Sequence, residues 1–189
     1  MLDHACQSGR HPLIERKGDA YDTPTCAIEA LLQVERLPRR IWEPACGTGN
    51  IVTVLRAAGH EVIATDLVDR GCPDSEDRID FLMPLYRISC DAIVTNPPFR
   101  HAERFVALAL DRAPLVIMLL RLAFIESERR SPLLDAGKLA RVHVFAKRLP
   151  MMHREGWNGP RSSSAIPFAW FVWCRDHYGP AIIDRLHVP

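Results

Sequence analysis

Residues 42–50 read Trp-Glu-Pro-Ala-Cys-Gly-Thr-Gly-Asn, an acidic residue just ahead of two closely spaced glycines. Gly47 and Gly49 let the backbone turn sharply and approach a ligand with no Cβ in the way. A helix opening at Asn50 adds free N–H groups at its N-terminus. Asp66 closes the next apolar run, placed to accept hydrogen bonds from ribose hydroxyls, with Leu67 beside it. Three uses fit such a turn: a bare strand-to-helix connection, a dinucleotide site, or an S-adenosylmethionine site. Val52 stands where a dinucleotide loop carries its third glycine. Glu43 suits the cationic sulfonium and amino group of S-adenosylmethionine better than it suits a pyrophosphate. The candidate cofactor contacts are Glu43, Pro44, Ala45, Cys46, Gly47, Gly49, Asn50, Asp66 and Leu67.

A second run, Asp91-Ala92-Ile93-Val94-Thr95, ends in Asn96-Pro97-Pro98-Phe99. Two consecutive prolines remove two backbone donors and stiffen the exit of the strand. What remains is the Pro97 carbonyl beside the Asn96 side-chain oxygen, with an aromatic ring next to both. That is a pair of acceptors for a planar amine. An exocyclic amine such as adenine N6 is a poor nucleophile, because its lone pair is delocalised into the ring. Acceptors on its two hydrogens favour the tetrahedral nitrogen that develops as it attacks a methyl group. Phe99 offers a face for the target ring. An isolated Asn-Pro-Pro is also a common strand stop. At the C-terminal end of a parallel strand, where ligands bind, the catalytic reading gains weight.

These motifs need a scaffold, and the pattern of apolar runs supplies one. Residues 40–43, 61–66, 91–96 and 115–120 read as buried strands. Helical periodicity lies between them. Thr23-Pro24 can start a helix carrying Ala27, Ile28, Leu31, Leu32 and Val34 on one face. Residues 50–58 bury Ile51, Val54, Leu55 and Ala58, with Gly59 to end the helix. Residues 101–110 turn Phe105, Leu108 and Ala109 inward. The late runs 141–145 and 168–173 have no helix between them, only a Pro-, Gly- and Ser-rich stretch, so they are predicted to be antiparallel neighbours. Trp170, Phe171 and Trp173 read as core. The predicted fold is an α/β sandwich: a mostly parallel seven-stranded sheet finished by an antiparallel pair, with helices on both faces.

Composition agrees with this and excludes other classes. The chain has 189 residues, 48% hydrophobic and 25% charged, enough for one well-buried core. No run approaches the roughly 18 apolar residues of a membrane span. Six scattered cysteines (6, 26, 46, 72, 90 and 174) form no CxxC pair, which fits a reducing, cytoplasmic setting and no metal site. Residues 1–19 hold His4, Cys6 and His11 without periodicity and read as an irregular tail; residues 20–189 read as one domain.

Further motifs complete a family pattern. Tyr21-Asp22-Thr23-Pro24 precedes the glycine loop, and Asp80-Phe81-Leu82 lies between Asp66 and the tetrapeptide. Taken with Glu43–Gly49, Asp66 and Asn96–Phe99, residues 20 to 175 resemble the class I S-adenosylmethionine-dependent amino-methyltransferases. They are most similar to compact, phage- or prophage-type N6-adenine DNA methyltransferases, in the gamma motif order. The resemblance implies that Tyr21, Thr23 and Pro24 close over the methionine end of the cofactor. It also implies that Asp80 and Phe81 meet the cofactor's adenine, and that Asn96, Pro97, Pro98 and Phe99 are catalytic. RNA adenine enzymes share Asn-Pro-Pro-Phe, and glutamine-modifying enzymes typically carry Tyr where this chain has Phe99. A non-catalytic cofactor-binding subunit is the remaining alternative. A separate target-recognition region is not expected, so selectivity falls to loops, to a second copy or to a partner chain.

Net charge is +1, yet its distribution is uneven. Residues 141–161 carry five arginines and lysines against Glu155 alone, with Trp157 among them. Arg148, Arg154, Trp157 and Arg161 are the candidate nucleic-acid contacts, by phosphate pairing and base stacking. Residues 66–80 carry six acids against two arginines, on the cofactor side.

Overall fold

The computed structural model describes residues 21–84, 86–135, 138–150 and 165–189. The predicted tail over 1–19 lies outside them. Seven strands form one sheet: β1 (Arg40–Glu43), β2 (Glu61–Ala64), β3 (Ala92–Thr95), β4 (Leu115–Arg121), β5 (Leu139–Phe145), β6 (Phe168–Cys174) and β7 (Ile182–Leu186), in the order β2-β1-β3-β4-β6-β5-β7. Every neighbouring pair is parallel except the two made by β6, with β4 and with β5. Six strands therefore point one way, and the C-terminal ends of β1, β3, β4 and β5 share one edge of the sheet.

Strand periodicity sorts side chains to two cores. Ile41, Ala92, Val94, Ile117, Leu119, Trp170 and Val172 pack against α1 (Thr25–Val34) and α2 (Asn50–Ala57). Trp42, Ile93, Val116, Met118, Leu120, Phe171 and Trp173 pack on the opposite face with α3 (Ala102–Arg112). The helices thus cover both faces, as their periodicity predicts, and the C-terminal aromatics are core. Small shifts occur at the helix ends. Pro24, not Thr23, caps α1; Ala30 is buried in place of Val34, because Val34 ends the last turn and is exposed. In α2, Val52 is buried in place of Ala58, which lies beyond the last turn. A fourth short helix, α4, covers Ser131–Leu134.

The mostly parallel seven-stranded sheet with its antiparallel pair is as expected, and its two edges add detail that the sequence does not mark. The seventh strand, β7, carries no strand pattern in the sequence: it adds parallel to β5 as an edge strand, so the antiparallel strand is internal. Beside β2, Thr65 makes an isolated parallel bridge with Glu76, and the Ile79 amide donates to the Asp66 carbonyl at 3.0 Å. The acidic stretch thus runs along β2 without forming a full strand.

A buried ionic network pins α1 to this scaffold. Glu35, at the C-cap of α1, accepts from the Arg141 guanidinium and lies 2.7 Å from His143 Nε2. His143 Nδ1 lies 2.6 Å from Asp184 Oδ1 on β7. With a carboxylate on each ring nitrogen, the imidazole is held as the cation. Burial works against that charge, but the bonds to Glu35 and Asp184 outweigh it and raise the His143 pKa. Arg141, one of the cations of the basic stretch, is therefore a structural residue.

Candidate active site

Three adjacent parallel strands end in the residues that matter. Glu43 is the last residue of β1, Asn96 follows β3, and Arg121 is the last residue of β4. Each carries a buried polar atom with no hydrogen-bond partner: Glu43 Oε2, Asn96 Oδ1 and Arg121 Nε. Buried polar groups are ordinarily paired, so such a cluster calls for a ligand or for strain. Arg130 Nε, also unbonded, lies 3.6 Å from Glu103 and is accounted for by that ion pair.

Glu43 is fully buried. Its Oε1 accepts from Thr95 Oγ1 at 2.6 Å and from the Ala45 amide at 3.0 Å, which aims Oε2 away from both. Burial pushes the carboxyl up to about 8, against those two hydrogen bonds and with the added charge of Asp66. A cationic ligand group beside Oε2 would restore the charged form. Once ionised, this acceptor fits a sulfonium or ammonium and repels a phosphate.

The glycine loop takes the shape its sequence requires. Gly47 and Gly49 have φ of 55° and 91°, in the left-handed region. A Cβ on Gly49 would stand 2.8 Å from Cys72 Sγ, so glycine is required there twice over. The Gly47 amide donates to Asp66 Oδ2 at 2.9 Å, and Val68 N donates to Oδ1 at 3.1 Å, fixing the acid at the end of β2. Leu67 is 58% exposed beside it, an apolar group open to a ring. Cys46 is buried under the loop, and burial raises its thiol pKa, so it is no nucleophile.

The segment from Tyr21 to Pro24 clasps both motifs. Asn50 Nδ2 donates to the Thr23 carbonyl, Thr48 Oγ1 to Asp22 Oδ1, and Asn96 Nδ2 to the Tyr21 carbonyl, each at 2.9 Å. The Tyr21 ring lies 5.1 Å from that of Phe99. Tyr21, Thr23, Glu43–Asn50, Asp66, Asn96 and Phe99 are thus brought together.

Asp80 sits one residue beyond Ile79 and so beside Asp66; its Oδ1 accepts from the Leu82 amide. The Phe81 ring is 2% exposed and stacks on Phe105 at 4.7 Å with Trp42 edge-on, on the α3 face of the sheet. Arg112 holds this turn by donating to the carbonyls of Phe81 and Met83.

Arg148 is exposed just past β5, on the same edge as Asn96, and the chain re-enters the sheet there at Phe168. Arg154, Trp157 and Arg161 lie outside the described residues. Thr95, which bonds Glu43, and Arg121 stand beside the candidate site and were missed by sequence reasoning. For Arg121 the signal was present: a charged residue ending an apolar parallel strand, as Glu43 does.

No protein-family model and no curated protein matches the sequence. Solved structures do match. A candidate RNA methyltransferase from Pyrococcus horikoshii aligns over 87% of this chain and 90% of its own, at TM-score 0.62 and 14% identity. The Rossmann-like methyltransferase fold is the fold of this chain. A modification subunit of a candidate type I restriction enzyme from Vibrio vulnificus aligns over 90% of this chain and 48% of its own, at TM-score 0.60 and 15% identity. The magnesium protoporphyrin IX methyltransferase of Synechocystis, solved with bound S-adenosylmethionine, aligns over 80% and 79%, at TM-score 0.54 and 11% identity. On this methyltransferase fold, Glu43, the glycine loop and Asn96 all stand at the carboxyl edge of the sheet. Among the described residues, no group of three or more His, Cys, Asp or Glu could hold a metal, and no helix is long and apolar enough to cross a membrane.

Proposed function

We propose that the chain is an S-adenosylmethionine-dependent methyltransferase acting on an exocyclic amine, adenine N6 in DNA. One observation carries this reading. Asn96 Nδ2 is committed to the Tyr21 carbonyl, which fixes the amide's orientation and leaves Oδ1 buried and unpaired. A buried acceptor held without a donor costs about 1–3 kcal/mol, which a substrate amine would recover.

The residues divide the work. Glu43 Oε2 takes the positive end of the cofactor, the glycine loop follows its backbone, and Asp66 takes ribose hydroxyls with Leu67 against the adenine. Bound S-adenosylmethionine supplies an electrophilic methyl group on a sulfonium that leaves without acid assistance. Asn96 Oδ1 and the Pro97 carbonyl accept the two amine hydrogens, so the nitrogen lone pair turns toward the methyl group as it pyramidalises. No general base is required, since the displaced proton departs from an already cationic nitrogen. Phe99 bounds the target ring. Arg148, with Arg154, Trp157 and Arg161, takes the phosphates and an adjacent base.

Adenine is favoured over a glutamine amide by Phe99, where the glutamine-modifying enzymes that the motif resembles typically carry Tyr. The test is transfer of labelled methyl from S-adenosylmethionine to DNA, RNA and protein acceptors in parallel. Label in DNA is expected. Label in RNA alone would move the target while keeping the amine chemistry, and a cofactor-binding chain with no acceptor at all would make it a subunit.

A further inference from the structure

Among the described residues, three arginines lie over aromatic rings, and two of them are locked there. Arg112, over Phe81, donates to two carbonyls. Arg130, over Phe124, donates to the Phe124 carbonyl and pairs with Glu103. Arg121 is different. Its Cζ stands 4.5 Å from the centre of the Phe99 ring, and among the described residues its guanidinium has neither a hydrogen-bond acceptor nor a carboxylate. Among the described residues, only the ring holds it.

We propose that Arg121 selects an anionic, nucleotide substrate: it covers the stacking face of Phe99 until the target ring displaces it, and its freed guanidinium then takes a phosphate oxygen of the target strand. The inference rests on the proposed function and adds a specificity-determining residue to it. The position fits. Arg121 ends β4 beside β3, and its register partner Phe168 also touches Phe99, at 5.4 Å between centroids. Tyr21, Phe168 and Arg121 all pack against the Phe99 ring, and Arg121 lies over it. Phe168 is buried in the sheet, and the Tyr21 backbone is tied to Asn96. Among the described residues, Arg121 is the member with nothing to break but its packing on the ring. Its chemistry names what it would meet next. A guanidinium with an unpaired Nε–H offers a planar fork that matches phosphate oxygens. A neutral amide substrate offers no such charge, and a cationic amine would be repelled.

The test is the salt dependence of KM for methyl transfer to sheared genomic DNA, together with cofactor affinity by titration calorimetry. Arg121→Gln is expected to raise KM and to flatten the slope of log KM against log salt by about 0.9 on duplex or about 0.7 on single strands. Cofactor affinity should stay within twofold of wild type. Arg121→Lys should keep the slope and still raise KM severalfold, since an ammonium has no fork; it also serves if the glutamine variant does not fold. An unchanged slope in Arg121→Gln, with wild-type enzyme methylating DNA, overturns this inference and leaves the proposed function standing. Lost cofactor affinity would assign the guanidinium to the cofactor and overturn it as well. If wild type methylates a glutamine-bearing peptide and no nucleic acid, both readings fall together.

Discussion

The Asn96 side-chain amide and the Tyr21 carbonyl, 75 residues apart in sequence, meet at 2.9 Å. This bond does two things at once. It orients the Asn96 amide with its oxygen unpaired, and it fastens the segment before α1 to the end of β3. Thr23 and Asp22 make the matching bonds to Asn50 and Thr48 on the glycine loop. The glycine loop and the tetrapeptide are therefore held by one strap.

Asn96→Ala is expected to lower the methyl-transfer rate by about a hundredfold or more, the usual loss for a preorganised polar group at a reacting centre. Because the strap loosens too, cofactor affinity should fall modestly. Single-turnover rates and calorimetric titration of the cofactor separate the two effects. A wild-type rate in this variant would remove Asn96 from catalysis.

Glu43 makes both stability and binding depend on pH. Its carboxyl is raised from the ordinary range to about 8 in the free protein. The stability linked to it is present in full below about pH 4.5 and is lost as pH rises through 8. His143, whose pKa is also raised, adds a loss in the same direction above its ordinary value. Glu43→Gln should remove the first component alone, so the fall in melting temperature between pH 5 and pH 9 should become shallower. Wild-type cofactor affinity should tighten as pH rises toward 8, with proton release on binding that calorimetry in two buffers detects. The glutamine variant should release none and bind more weakly by about 1.5–3 kcal/mol, the scale of a hydrogen bond to a charged group.

Gly49→Ala places a side chain at φ 91° and against Cys72. The left-handed conformation alone costs about 1–2 kcal/mol, and the clash adds to it. Thermal unfolding should show the loss, and Cys72→Ala in the same chain should restore only the part due to the clash. Full restoration would mean that backbone strain is absent.

Much of this was legible in the sequence, for physical reasons. The strands carrying the two motifs are buried on both faces, so they read as short apolar runs, and their ends fell within two residues of where they lie. Glycine loops announce themselves because only glycine takes those φ values readily. β7 was not legible: Ile182 and Ile183 are 62% and 60% exposed, so no alternation marks a face. The Glu35–Arg141–His143–Asp184 network was not legible either, since its members come from α1, β5 and β7 and only topology joins them.

Replacing Arg148, Arg154 and Arg161 together with glutamine should flatten the salt slope of duplex binding by up to about 0.9 for each phosphate that is no longer neutralised. Binding to all sequences should weaken alike, because phosphate pairing positions the protein and does not discriminate. Filter binding at several salt concentrations measures it. A slope equal to wild type would take these arginines out of the nucleic-acid interface.

The chemistry itself is read most directly by nucleoside mass spectrometry of DNA incubated with the protein and S-adenosylmethionine. Amine transfer organised by Asn96 predicts N6-methyladenine with the wild-type chain and its loss with Asn96→Ala. Methyl groups on a carbon position such as that of 5-methylcytosine, or N6-methyladenine formed equally well without Asn96, would contradict it.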